Sequence, residues 1–179
     1  MSYSPSPPEA GEHAAYYAGY VSQVPAGDVL AHLEKQGRAT VAALRALTPA
    51  QAGSRYAPGK WSVAEVLGHV IDAERIFAYR ALRIGRGDET PLPGFDQDRY
   101  APAGAFDRRA PAEIVEEFES VRRATLTLLR GLPEAAWRRR GTASDQPVTV
   151  RALAYILAGH ELHHLGVLRS KYGLPLGAG

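Results

Sequence analysis

Apolar residues recur along this chain at helical spacing in four long stretches, and few segments alternate as strands do. In the first, about residues 27–47, Leu30, Leu33, Val41 and Leu44 share one side, and Thr48-Pro49 ends the run. The second is the best delimited. Ser62 with Glu65 three residues on makes a capping box, and Trp61 before the cap can pack on Val66. The pattern then holds to about Arg86, where Gly85 and Gly87 break it. The third stretch opens on Pro111, suited to a first helical position, and runs through Ile114, Phe118, Val121, Leu126 and Leu129 to Gly131-Leu132-Pro133. The fourth follows Gln146-Pro147, with Thr149 as its cap, and reaches Tyr172-Gly173. Four helices with one apolar side each predict an all-α fold, a four-helix bundle.

Residues 1–25, rich in Pro, Ser, Ala and Tyr, read as an extended N-terminal arm, with its tyrosines laid across the domain; 26–174 read as the bundle and 175–179 as a tail. Two connections are long, 48–60 and 87–110, so crossover links are expected instead of a simple up-down-up-down order. The second shows no helical period and reads as a loop that crosses the bundle end or covers a site.

Composition narrows the chemistry. With no cysteine, thiolate metal sites, disulfides and a cysteine nucleophile are excluded, and any metal must be held by nitrogen and oxygen. A net charge of +2, from interspersed charges of both signs, gives no basis for a nucleic-acid partner. Arg138-Arg139-Arg140, the one basic run, reads as the cap of an element or a solvated surface. No apolar run is long enough to span a membrane, and the N-terminal residues lack a signal peptide's features, which predicts a cytoplasmic protein.

The densest chemistry is HELHH at 160–164, which holds three of the six histidines. Each helical residue turns the chain by about 100°. With Leu153 as the reference direction, Leu157, Ile156, Val167 and Leu168 outline a buried stripe. His160 falls at about −20° and His164 at about +20°, in the middle of that stripe. His163 at about −80° and Glu161 at about +80° lie on its margins. His160 and His164 are therefore an inward i,i+4 pair able to share one metal ion. A single histidine on an apolar face is ordinarily a core residue with a hydrogen-bond partner, but two stacked imidazoles are costly unless something satisfies their nitrogens. A third ligand is needed. His13 lies in the arm and His32 early in the first helix, which leaves His69, about 60° from the centre of the second helix's apolar face at Val66. Asp72 and Glu65 share its flank. Asp72, Glu161 and Tyr155 are candidates for orienting a ligand or moving a proton, and Arg80 and Arg83 for binding a substrate carboxylate. Leu162 and Leu165 point away from the stripe and predict a dimer surface.

The segments 60–75 (KWSVAEVLGHVIDAER), 91–96 (PLPGFD) and 158–166 (AGHELHHLG) agree in order and spacing with the DinB-like, or YfiT-type, metal-dependent superfamily, which the chain resembles over about residues 27–173. In that resemblance His69 matches the family's first histidine, and His160 and His164 its H-x-x-x-H pair, with His163 an extra neighbour. It implies a bundle with crossover connections, often a homodimer, and a divalent metal, zinc or nickel, held by three histidines with positions open for water. It further implies either a transferase that activates a low-molecular-weight thiol against a small-molecule substrate or a hydrolase using metal-bound water. A non-catalytic metal-binding dimeric module is the third alternative. The stretch 160–164 also spells H-E-x-x-H, but the chain shows neither the strands nor the downstream ligand of a zincin.

Overall fold

The computed structural model describes residues 5–176. Seven α-helices follow one another: α1 (Ala18–Val21), α2 (Val29–Leu44), α3 (Pro49–Gly53), α4 (Val63–Gly85), α5 (Gln97–Gly104), α6 (Pro111–Arg130) and α7 (Val150–Tyr172). A two-stranded antiparallel hairpin, β1 (Arg140–Ala143) and β2 (Gln146–Thr149), precedes α7. The helix starts are where local chemistry puts them. Ser62 Oγ accepts from the Glu65 amide at 3.2 Å while the Glu65 carboxylate accepts from the Ser62 amide at 2.6 Å, and Thr149 Oγ1 accepts from the Ala152 amide at 3.2 Å. At the far end of α7, Gly173 takes φ 67°, the left-handed stop that glycine adopts without strain.

The four long helices form the bundle. α4 packs against both α6 and α7, and α2 packs against the same two, so helices consecutive along the chain sit diagonally in the α2/α4 and α6/α7 pairs. Such an order requires crossovers, as the long connections imply. No helix among the described residues is long and apolar enough to cross a membrane.

Two apolar clusters fill the interior. One contains Leu30, Leu33, Phe77, Leu129, Trp137, Leu153 and Ile156; the other contains Leu44, Leu67, Ile71, Ile114, Phe118 and Leu168. Each fully buried side chain of this size contributes roughly 1.5–3 kcal/mol. Between the clusters every long helix carries buried polar residues: Gln36 and Thr40 on α2, His69 and Glu74 on α4, Arg122 on α6, His160 and Glu161 on α7. A polar layer therefore crosses the bundle at mid-height.

Several expectations are corrected. The connection 48–60 contains α3, which Thr48 caps with its own box, so Thr48-Pro49 starts a helix a few residues after α2 has ended. The connection 87–110 is not free of helix: Asp96 caps α5, accepting from the Asp98 and Arg99 amides at 3.0 and 3.2 Å. The hairpin has no long alternating pattern because its strands have four residues each; Ser144 and Asp145, at φ 53° and 59°, supply the turn. The arm is extended only in part. Ala15–Tyr17 form a 3-10 turn that leads into α1, and α1 lies on α7. Its anchor is Glu12, buried and bonded to Thr149 Oγ1 at 2.8 Å and to Arg151 Nε at 2.7 Å. Of the arm's tyrosines, Tyr16 is exposed and Tyr3 lies outside the described residues, whereas Tyr17 lies against Phe77 and Tyr20 against His160. Gly159 is required there, since a Cβ would sit 2.0 Å from the Tyr20 carbonyl oxygen. Leu165 is half-buried against the second cluster and Leu162 is also half-buried, so neither is the bare apolar surface expected of them. Of the basic run, Arg139 bonds the Gly85 carbonyl at the end of α4, and Arg140 bonds the Gly11 carbonyl at 3.1 Å.

Candidate metal centre

Along α7 the first apolar cluster ends at Ala158 and the second resumes at Leu165 and Leu168; along α4 the second cluster gives way to the first between Ile71 and Ala73, within a turn of His69. His69, His160 and His164 meet at this junction. His69 Nε2 lies 3.0 Å from His160 Nε2, and His164 Nε2 lies 3.1 Å from the same nitrogen. One donor atom from each ring falls within 4.8 Å of the others, and no carboxylate among the described residues joins the group. His160 is flanked at its ring edges by Phe77 and Tyr20, with centroids 5.7 and 5.5 Å away, and His69 packs on Trp61 at 5.2 Å.

This donor set fits a divalent ion. A single imidazole nitrogen carries either one proton or one lone pair, so His160 Nε2 cannot serve two neighbours well by hydrogen bonding. Metal–nitrogen bonds of about 2.0–2.1 Å at tetrahedral angles place ligand nitrogens roughly 3.3 Å apart, close to the spacing seen. Burial also keeps the rings in the neutral state that ligation requires. It lowers the pKa of His69 to about 4 and that of His164 to about 3, and holds His160 well below 6.5, with the neighbouring histidines adding to the effect.

The same burial predicts acid sensitivity of the metal-free protein. In the unfolded chain these imidazoles take up protons near pH 6.5, whereas in the folded chain they resist protonation until the pH is far lower. The unfolded state therefore binds more protons below pH 6.5, and stability falls as pH drops from about 6.5 toward 4. The slope is about 1.4 kcal/mol per pH unit for each such histidine. Urea unfolding of chelator-treated protein at pH 7, 6, 5 and 4 reads this directly; a flat profile would contradict the neutral assignment.

The remaining candidates sit elsewhere. Glu161 does not face the histidines: its carboxylate accepts from Gln36 Nε2 at 2.6 Å, Thr40 Oγ1 at 2.6 Å and Arg122 Nη2 at 2.7 Å. The H-E-x-x-H spelling therefore lacks the free glutamate that a zincin uses. Asp72 pairs with Arg75 at 3.7 Å, and its pKa is raised by burial. Glu65 caps α4 and pairs with Arg55 at 2.6 Å. Tyr155 is buried and donates to the Pro5 carbonyl at 3.3 Å. Arg80 donates to the Pro93 carbonyl and to Ser144 Oγ, both at 2.9 Å, and Arg83 bonds Asp88 and Tyr79, so both arginines are committed to holding loops. His163 is exposed, beside the Tyr20 ring at 5.2 Å.

A pocket of about 310 Å³ reaches the cluster at His164. Tyr56, Trp61 and Tyr172 give it aromatic walls, and Lys60 and Asp98 line it as well. Sequence reasoning missed Asp98, because it lies in α5 within a stretch read as loop; its carboxylate is close enough to His69 to work against the lowering of that ring's pKa. A groove of about 390 Å³ between α2 and α6 holds no histidine.

A trio of neutral imidazoles, two buried and one half-buried, inside a crossover four-helix bundle defines a class of helical proteins equipped for a divalent metal. The DinB superfamily model matches residues 32–168, and the chain belongs to that superfamily. It is 30% identical over 142 residues to a protein of Bacillus pumilus (strain SAFR-032) named "Putative metal-dependent hydrolase", covering 77% of this chain and 78% of that one. Among solved structures it is similar to YfiT from Bacillus subtilis, described as "a probable metal-dependent hydrolase with an unusual four-helix bundle topology". That match has a TM-score of 0.70 and 18% identity over 80% of this chain and 85% of YfiT, and so speaks to the fold.

Proposed function

We propose that His69, His160 and His164 hold one divalent ion, zinc or nickel, through their Nε2 atoms, and that the protein is a metal-dependent hydrolase of a small-molecule substrate. The observation that carries this reading is the convergence of three neutral ring nitrogens, one of them on His164, which lines an aromatic-walled pocket. The names of the relatives support the same chemistry. An ion held there supplies Lewis acidity, acidifying the attacking nucleophile and polarising the bond it attacks. The chain's own part is to fix the ligands and exclude water. Trp61 and Phe77 wedge the imidazoles in place, and Tyr20 seals the arm side of His160.

A second reading, transfer of a low-molecular-weight thiol, uses the same ligands. In its favour, the chain has no cysteine, so any sulfur nucleophile is the substrate's own. Assembly as a homodimer, which the family resemblance implies, belongs to the same proposal. Zinc- and nickel-loaded protein assayed against panels of esters and amides, and against thiols with a bimane electrophile, separates the readings. Turnover of esters or amides without added thiol is expected; turnover that appears only with a thiol would replace hydrolysis by transfer.

A further inference from the structure

The pocket beside His164 carries two charged side chains of opposite sign, Lys60 and Asp98. Lys60 makes no hydrogen bond or ion pair through its ammonium among the described residues, and the Asp98 carboxylate likewise accepts none there. Both free charges are also positioned by local structure. Arg55 Nη1 donates to the Lys60 carbonyl at 2.7 Å, which fixes the turn before Trp61, and the Asp96 cap fixes the Asp98 backbone. They do not pair with each other, although both line one 310 Å³ space. The walls between them are Tyr56, Trp61 and Tyr172, with Val66 and Val167, and Tyr172 is braced by its hydroxyl donating to the Trp61 carbonyl at 2.6 Å.

A purely anionic ligand would meet Asp98 and a purely cationic one Lys60, so each is disfavoured by one of the two charges. We infer that this pocket binds a zwitterionic, amino-acid-derived substrate, its carboxylate read by Lys60, its ammonium by Asp98, and its apolar side chain laid against the aromatic wall. That such a ligand is a substrate rests on the proposal that the histidines hold a metal, since His164 lines the same pocket; its recognition by Lys60 and Asp98 does not. Charge-assisted contacts of this kind are worth roughly tenfold each in affinity.

The test is a set of calorimetric titrations of the full-length, zinc-loaded chain with three probes: glycyl-L-phenylalanine, its N-acetyl derivative and its C-terminal amide. The free dipeptide is expected to bind about tenfold more tightly than either blocked form. Lys60→Ala should weaken the two carboxylate-bearing probes about tenfold without weakening the amide. Asp98→Asn should weaken the two amine-bearing probes without weakening the N-acetyl form. Both residues are exposed, so neither change threatens the fold. No binding, equal affinity for all three probes, or variants that affect every probe alike would overturn the inference. Zinc content measured on the same samples keeps the two proposals apart. Zinc-free protein that still shows the charge-matched pattern would sink the metal reading and sustain this one; one equivalent of zinc without the pattern would do the reverse.

Discussion

His160→Ala is expected to abolish metal binding and, with it, activity. His160 Nε2 is the shared point of the cluster, 3.0 Å from His69 and 3.1 Å from His164, so its removal leaves two nitrogens with no common partner. Wild-type protein purified without a histidine tag should carry close to one metal equivalent, and the variant less than a few tenths. A thermodynamic reading avoids dependence on an unidentified substrate. A ligand that binds only the folded state at about a thousand times its Kd adds about 4 kcal/mol of stability. Zinc should therefore raise the unfolding midpoint of the wild type markedly and leave that of His160→Ala unmoved. His163→Ala is the control: that ring lies against Tyr20 and outside the trio, so stoichiometry and zinc-induced stabilisation should persist. Equal zinc stabilisation in wild type and His160→Ala would refute the three-histidine centre.

The sequence shows the inward pair because helical periodicity is a local rule and α7 obeys it over 23 residues. Helix starts are equally legible at Ser62 and Thr149, where cap and first turn are neighbours in the chain. What stays hidden depends on contacts between distant segments. Glu161, on the margin of the apolar stripe, looks like a solvent-facing carboxylate, yet it is among the most completely buried side chains. Its partners come from α2 and α6, and no rule of spacing within α7 can announce them. The arm shows the same limit. That Gly159 must be glycine follows only from the Tyr20 carbonyl pressing on it from some 140 residues upstream. Asp98 was missed for a third reason: α5 contains Pro102 and buries only Ala101, so it has almost no apolar period to detect.

Arg122→Ala should cost about 3–5 kcal/mol, the largest loss of stability expected from a single change in this fold. The residue is 4% exposed, and its guanidinium links the bundle's two sides. Nε and Nη2 reach the Glu74 carboxylate at 2.9 and 2.7 Å, Nη2 also reaches Glu161 at 2.7 Å, and Nη1 donates to the Leu33 carbonyl at 2.9 Å. Burial alone would lower the arginine's pKa, but the two carboxylates outweigh it and raise it, so it stays charged. Removing it strands two carboxylates in the interior, and urea unfolding should show the full penalty. Replacing all three members by leucine removes the buried charge together with its desolvation cost, and should recover most of that loss. The triple variant then asks what the triad is for. Glu161 directly follows His160, so its bonds to α2 and α6 fix the rotation of α7 that aims His160 and His164 at His69. If the triad sets this register, the triple leucine variant will fold stably yet bind zinc at least tenfold more weakly than the wild type. Unchanged zinc affinity in that variant would show that apolar packing alone orients the ligands.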